Sequence, residues 1–538
     1  MNQANASTTP ETPAQDVKTI AAIDIGSNSV RLEVAEVLPD GHIEVLEQLQ
    51  QAVRLGQDTF RRGRIGRAST QATVGILRDF RRVLDLYKVQ RLRAVATSAV
   101  REASNSDAFL DRMLMTVDLD VEVIDTSEES RLTVSAVRQK LGGVMGINRG
   151  HTLIADVGGG SSLLTFLQDG DIAASQSLRL GAVRLQEQLV SPGEPLEQSM
   201  DILRHHIRNT LSVVQSSLPV KKCQSFVAVG GDARFAARQV GQEVAGTELR
   251  RVSRKDLDAL VEQVLYHTPE EISRDYGVPY ALAETINPAL RVYQELLHAT
   301  KAKEMLVSEV SMRDGLLLDL ARSVTGDEDE SLSEGIVQSA LAVADKYLVD
   351  HDHAEQVADI SVRLFDELQD EHGLDARQRL VLRVAGLMHE VGGYVSSRAH
   401  HKHSYYLISN SEVFGLTREE LQVVAHVARY HRRAMPRSSH TEYMALPRRL
   451  RMVVSKLAAI LRVADALDRG HGQQIGDFTC QRKDNDFVIY VHGVGDLTLE
   501  RRAISQKGDL FEDIYGMTVR VEEAPLADPA RRRAAPVE

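Results

Sequence analysis

The sequence is poor in cysteine, has no excess of positive charge and contains no long apolar run. Cys223 and Cys480 are its only cysteines. They lie far apart and outside any metal-ligand spacing, which excludes a disulfide framework and a zinc knuckle. Lys and Arg total 64 against 76 Asp and Glu, a formal net charge of −12. The overall field therefore offers no generic nucleic-acid footprint. A phosphate-rich ligand would have to be met by local basic groups and divalent cations. Residues 1–17 are polar without an apolar leader core, and no segment approaches ~18 consecutive apolar residues. The expectation is a cytoplasmic protein with neither a membrane nor a nucleic acid as partner. At 538 residues the chain exceeds a single core, and about three domains are expected.

What is present is organised by two stretches, Thr19 to Leu32 and Thr152 to Ser162. In each, a buried apolar strand ends in a carboxylate, Asp24 or Asp156, and a Gly/Ser turn follows. Such a turn aims backbone N–H groups and hydroxyls at an anion, and the adjacent Asp can hold the accompanying cation. A single Asp-x-Gly turn is usually only a tight hairpin. Two copies of one layout describe a repeat.

Between them the pattern is mixed α/β. Alternation at Val30, Leu32 and Val34, the turn Pro39-Asp40-Gly41 and the run Ile43–Leu46 predict hairpin-linked strands. Helical periodicity runs from Ala68 to about Tyr87, and the strand Leu92–Thr97 delivers Ser98 and Arg101 to its carboxyl end. Glu128-Glu129 opens a further helix, where carboxylates suit the dipole. The second half adds strands at 163–167, 172–178, 226–229 and 304–307, with helices at about 254–266, 280–298 and 313–322. Two facing halves predict a cleft.

Six segments together carry a resemblance: Ala22–Ser29, Ala96–Arg101, Glu128–Leu132, Asp156–Ser161, Arg179–Val183 and Met312–Gly315. In this order and spacing, over roughly residues 18–320, they resemble the exopolyphosphatase and guanosine pentaphosphate phosphatase family. The resemblance implies an α/β fold of two actin-like lobes, of the ASKHA or ribonuclease H-like type, over 18–145 and 146–323. It implies processive, Mg²⁺-dependent hydrolysis (Mn²⁺ being an alternative ion) of the terminal phosphate of inorganic polyphosphate, with a homodimer as the family-level assembly.

Carried over residue by residue, Glu129 takes the place of the general base, and Asp24 and Asp156 those of the metal ligands. Ser27, Asn28 and Ser29 in one lobe, and Gly158, Gly159, Gly160 and Ser161 in the other, would cradle phosphates. Arg101 matches an arginine facing the phosphate; outside that context a surface or cap role would be the commoner one. Two positions depart from the family pattern. Leu163 stands where a metal-binding Glu is usual, and Gly230-Gly231-Asp232 replaces a Gly-Gly-Thr type loop. Asp232 would repel a polyphosphate unless a cation lies between them, so it is a candidate substitute metal ligand.

After the acidic stretch 324–330, amphipathic helices are predicted at about 331–348, 353–370, 376–389, 417–430 and 450–468. This region, 331–470, resembles the all-α HD superfamily of metal-dependent phosphohydrolases. His353, His389 and Asp465 fit its ligand positions, and the usual His-Asp pair reads His389-Glu390. A second metal there competes with a plainer role, a basic wall of Lys402, Arg429, His431, Arg432 and Arg433 along a polyanion. Strands 487–491, 497–499 and 517–521, with a helix from Lys507 to about Tyr515, predict a small α+β cap over 475–523. The tails 1–17 and 524–538 read as disordered. Besides polyphosphate hydrolysis, the same parts would serve guanosine pentaphosphate (pppGpp) hydrolysis, or a non-catalytic polyphosphate or nucleotide sensor. An actin-like kinase fits less well, because the chain supplies a water-activating glutamate rather than an acceptor site.

Overall fold

The computed structural model describes residues 17–141, 149–189, 196–215, 218–325 and 330–524. Residues 146–148, where the second lobe is expected to begin, most of the acidic stretch and the tails apart from Val17 and Ala524 lie outside these residues. The chain divides into two compact units between Glu330 and Ser331.

The first unit holds two sheets. One comprises β1 (Lys18–Ile25), β2 (Ser29–Val37), β3 (Ile43–Ala52), β4 (Arg91–Ala96) and β5 (Val121–Val123) in the order β3-β2-β1-β4-β5. The other comprises β6 (His151–Val157), β7 (Ser162–Gln168), β8 (Asp171–Leu178), β9 (Ser225–Val229), β10 (Gln242–Glu243), β11 (Arg250–Ser253) and β12 (Glu304–Val307). Its order is β10-β11-β12-β9-β6-β7-β8. The segment β8-β7-β6-β9-β12 repeats the first sheet. In both, the leading strand pairs antiparallel with the next and parallel with the one on its other side. Ile20 to Ile25 are all buried, as expected for a central strand covered on both faces. Glu- and Gln-rich β3 is exposed except at half-buried Ile43, Glu47 and Leu49, as suits an edge.

One helix crosses the sequence boundary between the lobes. Met312–Thr325, assigned by sequence to the second lobe, packs on the first: Leu316, Leu317 and Leu320 share a core with Ile20, Ala22 and Leu132. A Cβ on Gly315 would lie 2.2 Å from the Leu132 carbonyl oxygen, so glycine lets this helix touch the backbone of helix Thr126–Leu141. An ion cluster ties the contact. Arg131 pairs with Glu128 at 2.7 Å and also with Asp319, and Arg93 reaches Glu128 at 2.9 Å.

The second unit has one continuous core. Helices 351–367, 376–388, 400–409, 418–430 and 448–467 share it with the sheet β13 (Phe478–Lys483), β14 (Asp486–Val491) and β15 (Thr518–Glu523). The expected cap thus belongs to the core of the helical domain, through Phe478, Phe487 and Phe511. Leu497-Thr498-Leu499, expected as a strand, opens the helix Thr498–Lys507, and a second helix, Asp509–Tyr515, follows. The helical face is set by Ala503, Ile504 and Lys507, spaced one and three apart, which packing buries. Residues 400–409, for which the sequence predicts no helix, also form one.

Burial alone would raise the Glu128 carboxyl, but Arg131 and Arg93 overcome it and hold the group down at about 2. Its contribution to stability is therefore complete above its ordinary 4.5 and is lost as pH falls toward about 2. Glu128→Ala leaves Arg131 buried and underpaired, and should cost the first unit about 3–5 kcal/mol in denaturant unfolding at neutral pH. That loss should shrink below pH 4.5.

Candidate active site

The two turns are built alike. The Gly26 N–H donates to the Ser29 carbonyl at 3.0 Å, and the Gly158 N–H to the Ser161 carbonyl at 2.9 Å. Each turn closes where its strand ends, so Asp24 and Asp156 stand at equivalent places. Close approach brings the turns together. A Cβ on Gly159 would lie 2.8 Å from Ser27 Cβ, one on Gly160 2.2 Å from Ser98 Oγ, and one on Gly181 2.2 Å from the Gly160 carbonyl carbon. The Ser27 and Ser98 hydroxyls are 3.2 Å apart, and Asn28 Nδ2 donates to the Ala281 carbonyl of the facing lobe at 2.5 Å.

A cleft of about 600 Å³ lies between the lobes. It is bordered by Asp24, Ser27, Asn28, Ser29 and Glu129 from the first, and by Asp156, Gly158, Gly159, Gly160, Ser161 and Asp232 from the second. All of these residues were singled out in the sequence. Arg101 is the exception. It does not border the cleft; its Nη1 donates to Glu129 Oε1 and to the Ile124 carbonyl, both at 2.5 Å. The structure thus places Arg101 behind the glutamate.

Glu129 is buried, and burial pushes its carboxyl up to about 7. Arg101 pulls it down, while Asp24 and Asp156 add to the rise. A carboxylate poised near neutrality suits a proton acceptor. Burial also raises Asp156 to about 6, against the pull of Arg234 and of the Thr133 hydroxyl. Asp232 likewise rises to about 6 through burial, opposed by the Thr285 hydroxyl at 3.2 Å and by Arg234. These carboxylates are hard oxygen donors of the type Mg²⁺ prefers, although, among the described residues, no three of them bring donor atoms within 4.8 Å of one another.

The Leu163 departure is placed by register. Leu163 is the cross-strand partner of Asp156, and Arg31 holds the corresponding position opposite Asp24. Arg31 bonds Asp24 at 3.3 Å. On the other side of Asp156, β9 runs parallel and ends at Val229, just before Gly230-Gly231-Asp232. Asp232 therefore enters the cleft from the side of Asp156 away from Leu163. Sequence reasoning missed Arg31, Arg234, Arg238 and Arg313, all of which border the cleft. Arg313 sits inside a segment that carries the family resemblance, and Arg31 lies in the opening stretch Thr19–Leu32 two residues beyond one; Arg234 and Arg238 gave no local signal. It also missed Tyr293, whose hydroxyl accepts from the Val157 N–H at 3.2 Å and donates to the Val229 carbonyl. Tyr293 thereby joins the end of the strand that bears Asp156 to the end of β9, after which Asp232 stands in the first turn of helix Gly231–Val240.

In the second unit His353, His389 and Asp465 each place a donor atom within 4.8 Å of the others, and Glu390 joins His353 and His471 in a second group.

The Ppx/GppA phosphatase family model matches residues 34–324, and its domain III model matches residues 337–498. The chain belongs to the Ppx/GppA phosphatase family. It is accordingly a hydrolase of phosphoanhydride bonds. Among its relatives, guanosine-5'-triphosphate,3'-diphosphate pyrophosphatase of Aliivibrio fischeri is 23% identical over 82% of this chain and 86% of its own. Exopolyphosphatase 2 of Mycobacterium tuberculosis is 28% identical over 56% of this chain and 98% of its own. The crystal structure of an exopolyphosphatase from Cytophaga hutchinsonii shares the fold, with a TM-score of 0.52 at 23% identity, covering 57% of this chain and 98% of that one.

Because Arg101 holds the Glu129 carboxyl down, Arg101→Gln should move the acidic limb of the pH–rate profile for phosphate release to higher pH. In the unsubstituted protein the rate should rise with pH through about 7. If Asp232 substitutes for the carboxylate absent at Leu163, Asp232→Ala should raise the magnesium concentration needed for half-maximal rate by at least about tenfold, the scale of one close charge. An unchanged magnesium titration would remove Asp232 from the metal site.

Proposed function

We propose that the cleft hydrolyses the terminal phosphoanhydride of inorganic polyphosphate, releasing orthophosphate. The observation that carries this reading is the lining. Backbone turns, hydroxyls, arginines and carboxylates surround a neutral-range glutamate, and no aromatic side chain of the described residues borders the cleft. A purine is ordinarily held by stacking on such a ring. A linear chain of phosphates needs only amides, hydroxyls and point charges along its length.

In this reading Ser27, Asn28 and Ser29, with the amides of Gly158, Gly159, Gly160 and Ser161, hold the terminal phosphoryl group. Asp24, Asp156 and Asp232 would hold Mg²⁺, which when bound neutralises charge on the phosphate oxygens. Glu129 accepts the proton of the attacking water, and Arg101 fixes the orientation of its carboxylate. Phosphoryl transfer needs little covalent help, so positioning and charge account for most of the rate.

A second reading, hydrolysis of pppGpp, is favoured by the Aliivibrio fischeri relative, whose similarity extends over 82% of this chain. Phosphate release measured side by side should give a kcat/KM for long-chain polyphosphate at least about tenfold above that for pppGpp. The opposite order selects the second reading. Tight binding of either compound without turnover would make the cleft a sensor. Glu129→Gln, which keeps the shape and removes the acceptor, should lower kcat by about 10²–10⁴ with little change in KM.

A further inference from the structure

The second of the two turns, Gly158 to Ser161, has its carbonyls gathered on one side. That of Gly158 accepts from the Ala182 N–H at 2.9 Å and that of Gly159 from the Arg184 N–H at 3.0 Å. That of Gly160 accepts from Arg184 Nε at 2.7 Å. The first two donors are main-chain amides at the start of helix Ala182–Leu189, whereas the third is a side chain. In a trans peptide the N–H of one residue points opposite to the carbonyl of the residue before it. Drawing these carbonyls toward the helix therefore turns the amides of Gly159, Gly160 and Ser161 the other way. Among the described residues those amides make no hydrogen bond, and all three residues border the cleft.

The first turn is held differently. Ser27 and Asn28 stand where Gly159 and Gly160 stand in the repeat, and their carbonyls accept from the amides of Gly56, at 2.8 Å, and Val53, at 3.1 Å. Both of those donors are main chain of the same lobe. In the second lobe Arg184 supplies the donor that Val53 supplies in the first, and its guanidinium reaches across to the opposite lobe. Arg184 is buried, its Cζ lies 4.1 Å from the centre of the Phe60 ring, and its Nη2 donates to Glu102 Oε1 at 2.5 Å. Phe60 and Glu102 both belong to the first lobe, on and just after the helices Leu55–Arg62 and Ser98–Arg101. Glu102 directly follows Arg101, which holds Glu129. One dipeptide thus fixes the glutamate and, through Arg184, the turn that faces it. A planar guanidinium spans a carbonyl and a carboxylate at once, and the single ammonium of lysine has no such fork.

We infer that Arg184, braced by Glu102, is a positioning residue that takes the Gly160 carbonyl and so aims the Ser161 amide at the phosphoryl group. In the function proposed above, on which this rests, the amides of this turn hold the terminal phosphate. The geometry of the second turn then depends on contact with the first lobe. Without the Arg184 side chain the Gly160 carbonyl loses its donor and the Gly160–Ser161 peptide is free to rotate. That removes one preorganised donor from the oxygens on which charge develops. Glu129 keeps its own partner, Arg101.

Initial rates are measured on the full chain with whichever of long-chain polyphosphate and pppGpp it turns over. Arg184→Ala should lower kcat by about 10²-fold, the scale of one lost oxyanion donor, and leave the acidic limb of the pH–rate profile in place. Ethylguanidinium at millimolar concentration, refilling the space against Phe60, should recover part of the rate. Arg184→Lys should lose about tenfold, and Glu102→Gln less, since an acceptor remains. Arg179→Ala removes the exposed second partner of Glu102, at 2.9 Å, and should change kcat by less than about twofold. A shifted acidic limb assigns Arg184 to the base and overturns the inference. So does Arg184→Lys at full rate, or a rate in Arg184→Ala that falls only with the folded fraction measured by circular dichroism. Should Arg184→Ala fail to fold, Arg184→Lys carries the same test. Turnover of neither compound by the unsubstituted protein is the failure of the proposed function, and calorimetry with tripolyphosphate then decides. Arg184→Lys should weaken that binding by about tenfold, and unchanged binding, or none in the unsubstituted protein, overturns the inference.

Discussion

Like charges out of water repel, and this cleft gathers four of them. Asp24, Glu129 and Asp232 are buried, and Asp156 is half-buried. Burial raises three of them, and Asp24 and Asp156 add to the rise of Glu129. Arg31 and Arg234 offset only part of that cost. Much else in the first unit serves to hold this unfavourable group in place. Paired strands end at the carboxylates, glycines let the turns meet, and Tyr293 locks two strand ends. The crowding of these carboxylates, added to burial, lifts Glu129 to about 7.

What the sequence revealed follows the range of each interaction. The repeated turns were legible because every bond that makes them, such as Gly26 to Ser29, lies within four residues. Asp24 and Asp156 followed from the turns, and Glu129 from its place in an ordered set of segments. Arg101 was placed by its match to the family's arginine; its bond to Glu129, 28 residues away in the chain, is a pairing that no local pattern encodes. Tyr293 was invisible for the same reason, since its bonds to Val157 and Val229 span 136 and 64 residues. Thr498–Lys507 was misread because two leucines flanking a threonine fit a strand as well as a helix start, and only the surrounding core decides.

The two units solve opposite electrostatic problems. In the first, acceptors carry formal charge and arginines surround them. In the second, the converging acceptors are mostly neutral rings, and a single lysine reaches Asp465.

The helix Met312–Thr325 has a consequence for biosynthesis. It supplies Leu316, Leu317 and Leu320 to a core whose other side is made of Ile20 and Ala22. A ribosome emits the strands of the first lobe long before the helix that seals them. Until roughly residue 325 has left the exit tunnel, that face of the opening sheet stays uncovered, and the second lobe must be threaded out meanwhile. The order of synthesis therefore differs from the order in which the lobes can be completed, and the first lobe to emerge is the last to close.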